Sequence, residues 1–256
     1  MSLFASKSAI YTTYKTLGLL YLFFVVGLFL DSFYMVEVTE NAQIYANSLM
    51  LFVFTITFFK VTKRIKEQML AAVLIGFFGE YLFSVLMGMY TYRLGNVPLY
   101  IPFGHAFVYI AVLCFSKAAS IKKHRILLEK VFTISIFIYA SLFLIFKNDV
   151  FGFVMTIATL LILRNKPRER LFYLTMYISV AVLEIIGTTY ECWWWPSTAW
   201  NVIPFLPSYN PPSGISLFYF LLDLGCLWVY KKRHKITWKR MKNFRKIRLQ
   251  KENYVN

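Results

Sequence analysis

The chain has 256 residues, of which 59% are hydrophobic and 20% aromatic, and it carries a formal net charge of +16. Apolar runs of about 17–21 residues recur along it, each long enough to cross a hydrocarbon core about 30 Å thick. This composition excludes an ordinary soluble domain and predicts an all-α integral membrane protein.

The apolar runs predict eight transmembrane helices, at residues 16–34, 42–59, 70–90, 101–117, 130–147, 150–164, 171–191 and 214–230. Only Lys147, Asn148 and Asp149 separate the fifth run from the sixth, so a re-entrant pair is an alternative there. The basic clusters at 117–130 and 164–170 flank this pair and favour two full crossings.

The basic residues occupy alternate ends of the predicted helices. Of the 28 Lys and Arg residues, 26 lie at the N-terminus, in 60–66, in 117–130, in 164–170 or in the tail from residue 231. Only Arg93 and Lys147 lie in the other connections. This distribution follows the positive-inside rule, so we expect both termini in the cytoplasm of a bacterial-type membrane. It also argues against a nucleic acid as the partner of this basic chain.

The C-terminal segment 235–256 is a basic tail with Trp238 and Phe244 among its charges. A cluster of this kind beside a membrane is attracted to anionic lipid headgroups. We therefore expect anionic membrane lipids as partners of the tail. The sequence leaves the oligomeric state open.

Two stretches of the chain share an order of features: a glutamate within a helix, two aromatic residues one position apart, and an asparagine that opens a proline-containing segment. In the first stretch these are Glu80, Tyr90, Tyr92, Asn96 and Pro98. In the second they are Glu184, Trp193, Trp195, Asn201 and Pro204. We interpret this as an internal duplication with parallel four-helix repeats at 1–125 and 126–234.

Four ionisable residues fall within or at the mouth of apolar helices. They are Glu80, Glu184, Asp223 and His105. A carboxylate inside a bilayer costs roughly 2.5–3.5 kcal/mol on insertion scales and usually marks function. Two carboxyl groups in a water-poor site can hold a proton and deliver it to a poor base such as an alkene. The alternative is a purely structural role, in which these groups form hydrogen bonds between helices.

Aromatic side chains near these carboxyls would stabilise a carbocation through their ring faces. The candidate substrate-binding residues are Tyr90, Tyr92, Asn96, Trp193, Trp195, Trp200 and Asn201. The chain has three histidines, two of them within basic clusters, so the sequence predicts no histidine-based metal site. It also lacks a glycine-rich phosphate loop, so we predict no cofactor.

The glutamate, the paired aromatics and the Val-Pro segment resemble those of bacterial-type lycopene cyclase domains and carotenoid hydratases. The matching residues are Glu80, Tyr90, Tyr92, Val97 and Pro98 in one copy, and Glu184, Gly187, Trp193, Trp195, Val202 and Pro204 in the other. The resemblance covers about sixty residues, by the extent of these two patches. The cyclases' proline followed by paired acidic residues is replaced here by Pro102-Phe103-Gly104-His105. The resemblance therefore implies isoprenoid binding more than cyclase activity.

These observations predict a membrane enzyme that hydrates or cyclises a long apolar ligand, an isoprenoid or another lipid, by acid/base chemistry. Glu80 and Glu184 would form the acid/base pair, and Asp223 and His105 would support them. Two other classes remain open at this point: a proton-coupled transporter of small molecules, and a non-catalytic scaffold or signalling module.

Overall fold

The computed structural model describes residues 7–236, 239–240 and 243, so the predicted lipid contact of the 235–256 tail lies mostly outside the described residues. The fold is largely helical. Its helices are α1 (Lys7–Thr13), α2 (Leu19–Phe29), α3 (Phe33–Val36), α4 (Ala42–Lys60), α5 (Lys63–Glu80), α6 (Tyr100–Lys117), α7 (Ala119–Lys122), α8 (Arg125–Lys147), α9 (Val150–Arg164), α10 (Arg170–Thr189) and α11 (Ser216–Arg233).

Two π-helical segments continue these helices, Tyr14–Gly18 between α1 and α2, and Tyr81–Leu86 after α5. Six of the described helical segments are long and apolar enough to cross a membrane: Lys7–Val36, Ala42–Lys60, Lys63–Leu86, Tyr100–Lys117, Arg125–Lys147 and Arg170–Thr189. The chain is therefore a membrane protein by helix length and composition. Two further apolar helices, α9 and α11, are shorter within the same described residues.

Several helices extend past the predicted apolar runs at their basic ends. The third begins at Lys63 and not at residue 70, and the fifth begins at Arg125 and not at residue 130. Long basic side chains lay their methylene stems along apolar surface and keep the charge in water, so a helix continues beyond its uncharged stretch. The first helix begins at Lys7, and its regular part ends at Phe29, short of the predicted residue 34.

The connection between α8 and α9 is a tight turn. Asn148 caps α8 in the left-handed conformation, with φ of 54°, and the Asp149 side chain accepts a hydrogen bond from Gly152 N at the start of α9. The chain thus forms two separate helices, α8 and α9, on either side of this turn.

The connections 30–41, 87–99, 148–149 and 190–215 meet one another, and we call this side the aromatic face. Phe33 N donates to the Tyr190 carbonyl at 3.0 Å, and Tyr209 N donates to Asp149 Oδ1 at 3.1 Å. Two short antiparallel ladders form there. They join β1 (Thr91–Tyr92) to β2 (Trp193–Trp194) and β3 (Thr198–Ala199) to β4 (Ile203–Pro207).

The opposite side, the basic face, comprises the start of α1, the connections 61–62, 118–124 and 165–169, and the end of α11. Thr12 Oγ1 lies 3.0 Å from Ser120 Oγ, and the Arg125 guanidinium donates to the Pro167 carbonyl. Among the candidate spans, α10 is the most buried and α8 the least, so the core forms around α10 and α8 lies at the periphery.

Asp31 lies near the end of the first apolar run, a position at which the sequence alone predicts an interfacial carboxylate in contact with water, and the structure corrects this expectation. Its side chain is fully buried. It pairs with the Arg93 guanidinium and accepts a hydrogen bond from Tyr100 Oη at 2.8 Å. A buried charge needs such partners, and all of them come from residues more than sixty positions away.

Candidate functional site

A single cavity of about 870 Å³ of atom-free space, counted to its mouth, lies between α2, α4, α5, α6, α10 and α11. Its wall is mainly aromatic and aliphatic, and both glutamates singled out by the sequence line it. The wall residues used below are Phe83, Tyr90, Tyr92, His105, Trp193, Trp195, Phe218 and Tyr219. A large apolar cavity with a few polar groups is the usual form of a small-molecule site.

Glu80 ends α5, and the π-helical turn that follows it changes the course of the chain. Gly88 has φ of 58°, a left-handed conformation that glycine adopts without strain, and the chain then returns as strand β1. Tyr90, just before this strand, and Tyr92 on it both donate their phenol O–H to Glu80 Oε2, each at 2.5 Å. The second carboxylate oxygen, Oε1, lies 2.6 Å from His105 Nε2.

Glu184 lies on α10 and is likewise surrounded by hydrogen-bond donors. The indole N–H groups of Trp193 and Trp195 donate to its Oε2 at 2.8 and 3.0 Å. Tyr219 Oη donates to Oε1 at 3.2 Å. Both glutamates are buried, with exposed fractions of 4% for Glu80 and 3% for Glu184.

The pairing of β1 with β2 brings the two sets of aromatic residues together. Tyr92 is the register partner of Trp193, and paired residues of antiparallel strands project on the same side. The ring centroids of Tyr90 and Trp195 lie 4.5 Å apart, and those of Tyr92 and Trp193 lie 6.1 Å apart. These four rings form one aromatic wall beside both carboxylates.

The donors decide where each carboxyl group can carry a proton. An indole N–H donates and never accepts, so the two tryptophans occupy Glu184 Oε2 and leave only Oε1 for a proton. In Glu80 the two phenols contact Oε2 and His105 contacts Oε1. A phenol or an imidazole can accept a hydrogen bond as well as donate one, so either oxygen of Glu80 can hold a proton, whereas Glu184 can hold one only on Oε1.

The phenols of Tyr90 and Tyr92 remain protonated donors. Burial, followed by the nearby Glu80 charge, raises the pKa of both side chains well above its ordinary value. Their O–H groups are therefore retained at any physiological pH, and Glu80 Oε2 keeps two acceptor contacts.

His105 contacts Glu80 Oε1, Tyr219 contacts Glu184 Oε1, and the two side chains lie next to each other. Their ring centroids lie 4.9 Å apart, so they stand side by side between Glu80 and Glu184. Gly76 permits this arrangement, because a Cβ at that position would lie 3.1 Å from His105 Cδ2. Glycine on α5 is what lets α6 bring the imidazole up to Glu80.

The structure leaves three predicted binding residues off the cavity wall. Asn96 exchanges amide hydrogen bonds with Gln43, and Asn201 is exposed on a turn with φ of 54°. Trp200 lies behind the wall, where its ring contacts Phe151 and Phe218. Trp200 and Asn201 lie in the same aromatic segment as Trp193 and Trp195, and Asn96 lies in the matching segment of the first stretch, so no local pattern separates them from the wall residues.

Asp223 lies apart from the cavity of the glutamates, on the wall of a second cavity shared with His105 and Tyr219. Sequence reasoning missed Tyr219 altogether. One signal was present: it lies four residues before Asp223, so it shares a face of α11 with a residue that the sequence had singled out.

Cys192 is a free, buried thiol at the edge of the site. Burial raises its pKa above the ordinary thiol value, so it remains protonated. Its Sγ donates to the Leu28 carbonyl at 3.4 Å. The thiol therefore acts as a packing residue that joins the aromatic face to the end of α2.

No protein-family model, curated protein or solved structure matches this chain.

Proposed function

We propose that this protein is an integral membrane enzyme that hydrates or cyclises a long apolar ligand of isoprenoid type by cofactor-independent acid/base chemistry. One observation carries the proposal. Glu80 and Glu184 line the same aromatic cavity, and each has a carboxylate oxygen next to a group that can exchange a proton with it, His105 for Glu80 and Tyr219 for Glu184.

The chemistry follows from this arrangement. A carboxyl group that holds its proton on Oε1 delivers it to an alkene carbon, and the bonding electron pair of the double bond forms the new C–H bond. The cation left on the neighbouring carbon is stabilised by the other carboxylate and by aromatic ring faces. Water addition, or attack by a second double bond of the same ligand, followed by proton loss to the carboxylate pair, completes hydration or cyclisation.

The proposal includes an architecture of eight crossings in two four-helix halves. Glu80 and Glu184 support the duplication, because each accepts two bonds from aromatic residues that follow it and one contact from the next helix. Asp31 and Asp149 support it too. Each is buried between the first two helices of its half and binds the loop between the last two.

We assign the basic face to the cytoplasm. The N-terminus, three connections and the end of α11 meet on this side, and 26 of the 28 Lys and Arg residues lie there or in the tail beyond. The positive-inside rule then places both termini in the cytoplasm and the aromatic face outside.

The test uses isosteric glutamine variants. Glu80→Gln and Glu184→Gln keep an oxygen where the paired aromatics donate, and the new amide meets His105 or Tyr219, both of which can accept. We therefore expect folded proteins that have lost at least a hundredfold in product formation, since a proton donor contributes about 10²–10⁴-fold.

The measurement is chromatography and mass spectrometry of lipids from cells that make isoprenoids and express each variant. A hydrated product gains the mass of one water, whereas a cyclised one keeps its mass and changes its retention. Glu37→Gln, an exposed carboxylate on the aromatic face, is the matched control. Unchanged products in both cavity variants would contradict the proposal.

A proton-coupled carrier is the second candidate. Asp223 favours it, because this third carboxyl lies on α11 between the glutamates and the basic face, as a relay across the membrane requires. Proton-coupled flux in liposomes, lost in Glu184→Gln and unaccompanied by any new lipid product, would decide for the carrier.

A further inference from the structure

The second cavity lies next to the glutamate site and is nearer to the basic face. Its wall consists of Ala72, His105, Val108, Tyr109, Met176, Tyr219, Asp223 and Cys226. On α5 and α10 the basic-face ends come first in sequence, and on α6 and α11 they come last. Ala72 precedes Gly76, and Cys226 follows Tyr219, so both lie on the basic-face side of His105 and Tyr219.

Asp223 has an unsatisfied polar atom in this cavity. The residue is 93% buried, its exposed fraction being 7%, and Oδ2 has no hydrogen-bond partner within the described residues. Buried polar atoms are almost always satisfied by protein or by ordered water. The cavity has room for about one water molecule.

His105 lines both cavities. Within the described part of the chain, its Nε2 has a partner, Glu80 Oε1 at 2.6 Å, whereas no hydrogen bond is found for Nδ1. An imidazole that accepts a proton on one nitrogen and releases one from the other transfers a proton without moving. Two phenols and one thiol are the other titratable groups near Asp223. Tyr109 and Cys226 line the cavity wall, and Tyr173 lies within electrostatic range of Asp223.

We propose that the second cavity is a water site, and that water bound to Asp223 Oδ2 relays protons between Asp223 and the His105–Glu80 pair. Asp223 gives its carboxyl proton to the water, and the water gives a proton to His105 Nδ1. The Nε2 proton of His105 passes to Glu80 Oε1. Asp223 ends as a carboxylate, Glu80 as a carboxylic acid, and His105 as the other neutral tautomer, so charge and protons balance.

This relay rests on the proposed function, since it gives Glu80, one of the two acids of the proposed reaction, a route by which to exchange its proton. Asp223 is a positioning and proton-storing residue in this scheme, and Glu80 and Glu184 remain the groups that face the ligand. The test must therefore succeed or fail without any substrate.

Infrared spectroscopy of the full chain in lipid nanodiscs provides that test. We expect a carboxylic acid C=O band that is absent in Asp223→Asn and shifts when H₂O is replaced by D₂O. Ala72→Val fills the second cavity and should slow this isotope exchange at least tenfold. Ala46→Val, which adds the same two methyl groups to the glutamate cavity, should leave the exchange rate unchanged.

Cys226→Leu fills the second cavity from α11 and replaces Ala72→Val if that variant does not fold. The relay is overturned if Asp223 shows no carboxylic acid band, or if filling the second cavity leaves the exchange as fast as in the unaltered protein. Failure of the proposed function would give a different result: cells would make no new lipid product, while the isotope exchange of Asp223 would behave as expected.

Discussion

The indole of Trp195 illustrates how one hydrogen-bond donor stabilises the site around Glu184. Its N–H donates to Glu184 Oε2 at 3.0 Å while its ring lies against Tyr90. Phenylalanine lacks the donor and is also smaller than an indole, so a Trp195→Phe variant loses both the hydrogen bond and some packing, and a second background is needed to separate the two. A buried acceptor that loses its donor costs about 1–3 kcal/mol.

We expect Trp195→Phe to lower the free energy of unfolding by at least that amount, measured by thermal unfolding in detergent. Trp194→Phe is the matched control, because the Trp194 ring is 44% exposed and does not bond to Glu184. In a Glu184→Leu background, where no bond to Glu184 exists, the loss of stability caused by Trp195→Phe should be smaller by about 1–3 kcal/mol. An equal loss in both backgrounds would mean that ring packing, and not the bond to Glu184, sets the stability.

At the scale of elements, the site depends on how closely β2 approaches α10. Gly187 lies one turn after Glu184, and a Cβ there would overlap the six-membered ring of Trp193. Glycine at this position therefore lets the Trp193 ring lie flat against the helix and reach Glu184.

Gly187→Ala should push Trp193 off the helix and lower the free energy of unfolding by about 1–3 kcal/mol, as overpacking does. Gly27→Ala is the control on α2, where the new Cβ meets only the Phe23 ring at 3.7 Å or more. It should be neutral or slightly stabilising, since alanine is the better helix former. Thermal unfolding of both variants checks this, and equal stabilities would contradict the close approach.

At the scale of the whole molecule, the connections between the helices lie on two opposite faces. Which face meets which side of the membrane is testable. Val38 and Val202 on the aromatic face are 77% and 74% exposed, and Lys123 is exposed on the basic face. Cysteines placed at these positions report which face meets the outside.

We expect Val38→Cys and Val202→Cys to react with a membrane-impermeant maleimide in intact cells. Lys123→Cys should react only after permeabilisation, because the proposed orientation puts the basic face in the cytoplasm. The unaltered chain, in which Cys192 and Cys226 are buried and Cys114 is exposed on α6, gives the background. Labelling of Lys123→Cys in intact cells would show that the orientation is opposite to the one proposed.

The sequence by itself determined the membrane class and most of the helices, because a hydrocarbon core imposes a length and polarity that one chain segment satisfies alone. It also singled out Glu80, Glu184 and the paired aromatic residues, since a carboxylate in an apolar run is conspicuous without any neighbour.

Only the tertiary structure decided which partners these groups have. The β1–β2 ladder, the burial of Asp31 and the position of His105 against Glu80 all join residues far apart in the chain. Asn96 and Trp200 look as favourable as Trp193 in sequence, but the fold turns them away from the cavity. A hydrogen bond depends on tenths of an ångström between atoms, and such distances are set by packing between elements, which no local pattern encodes.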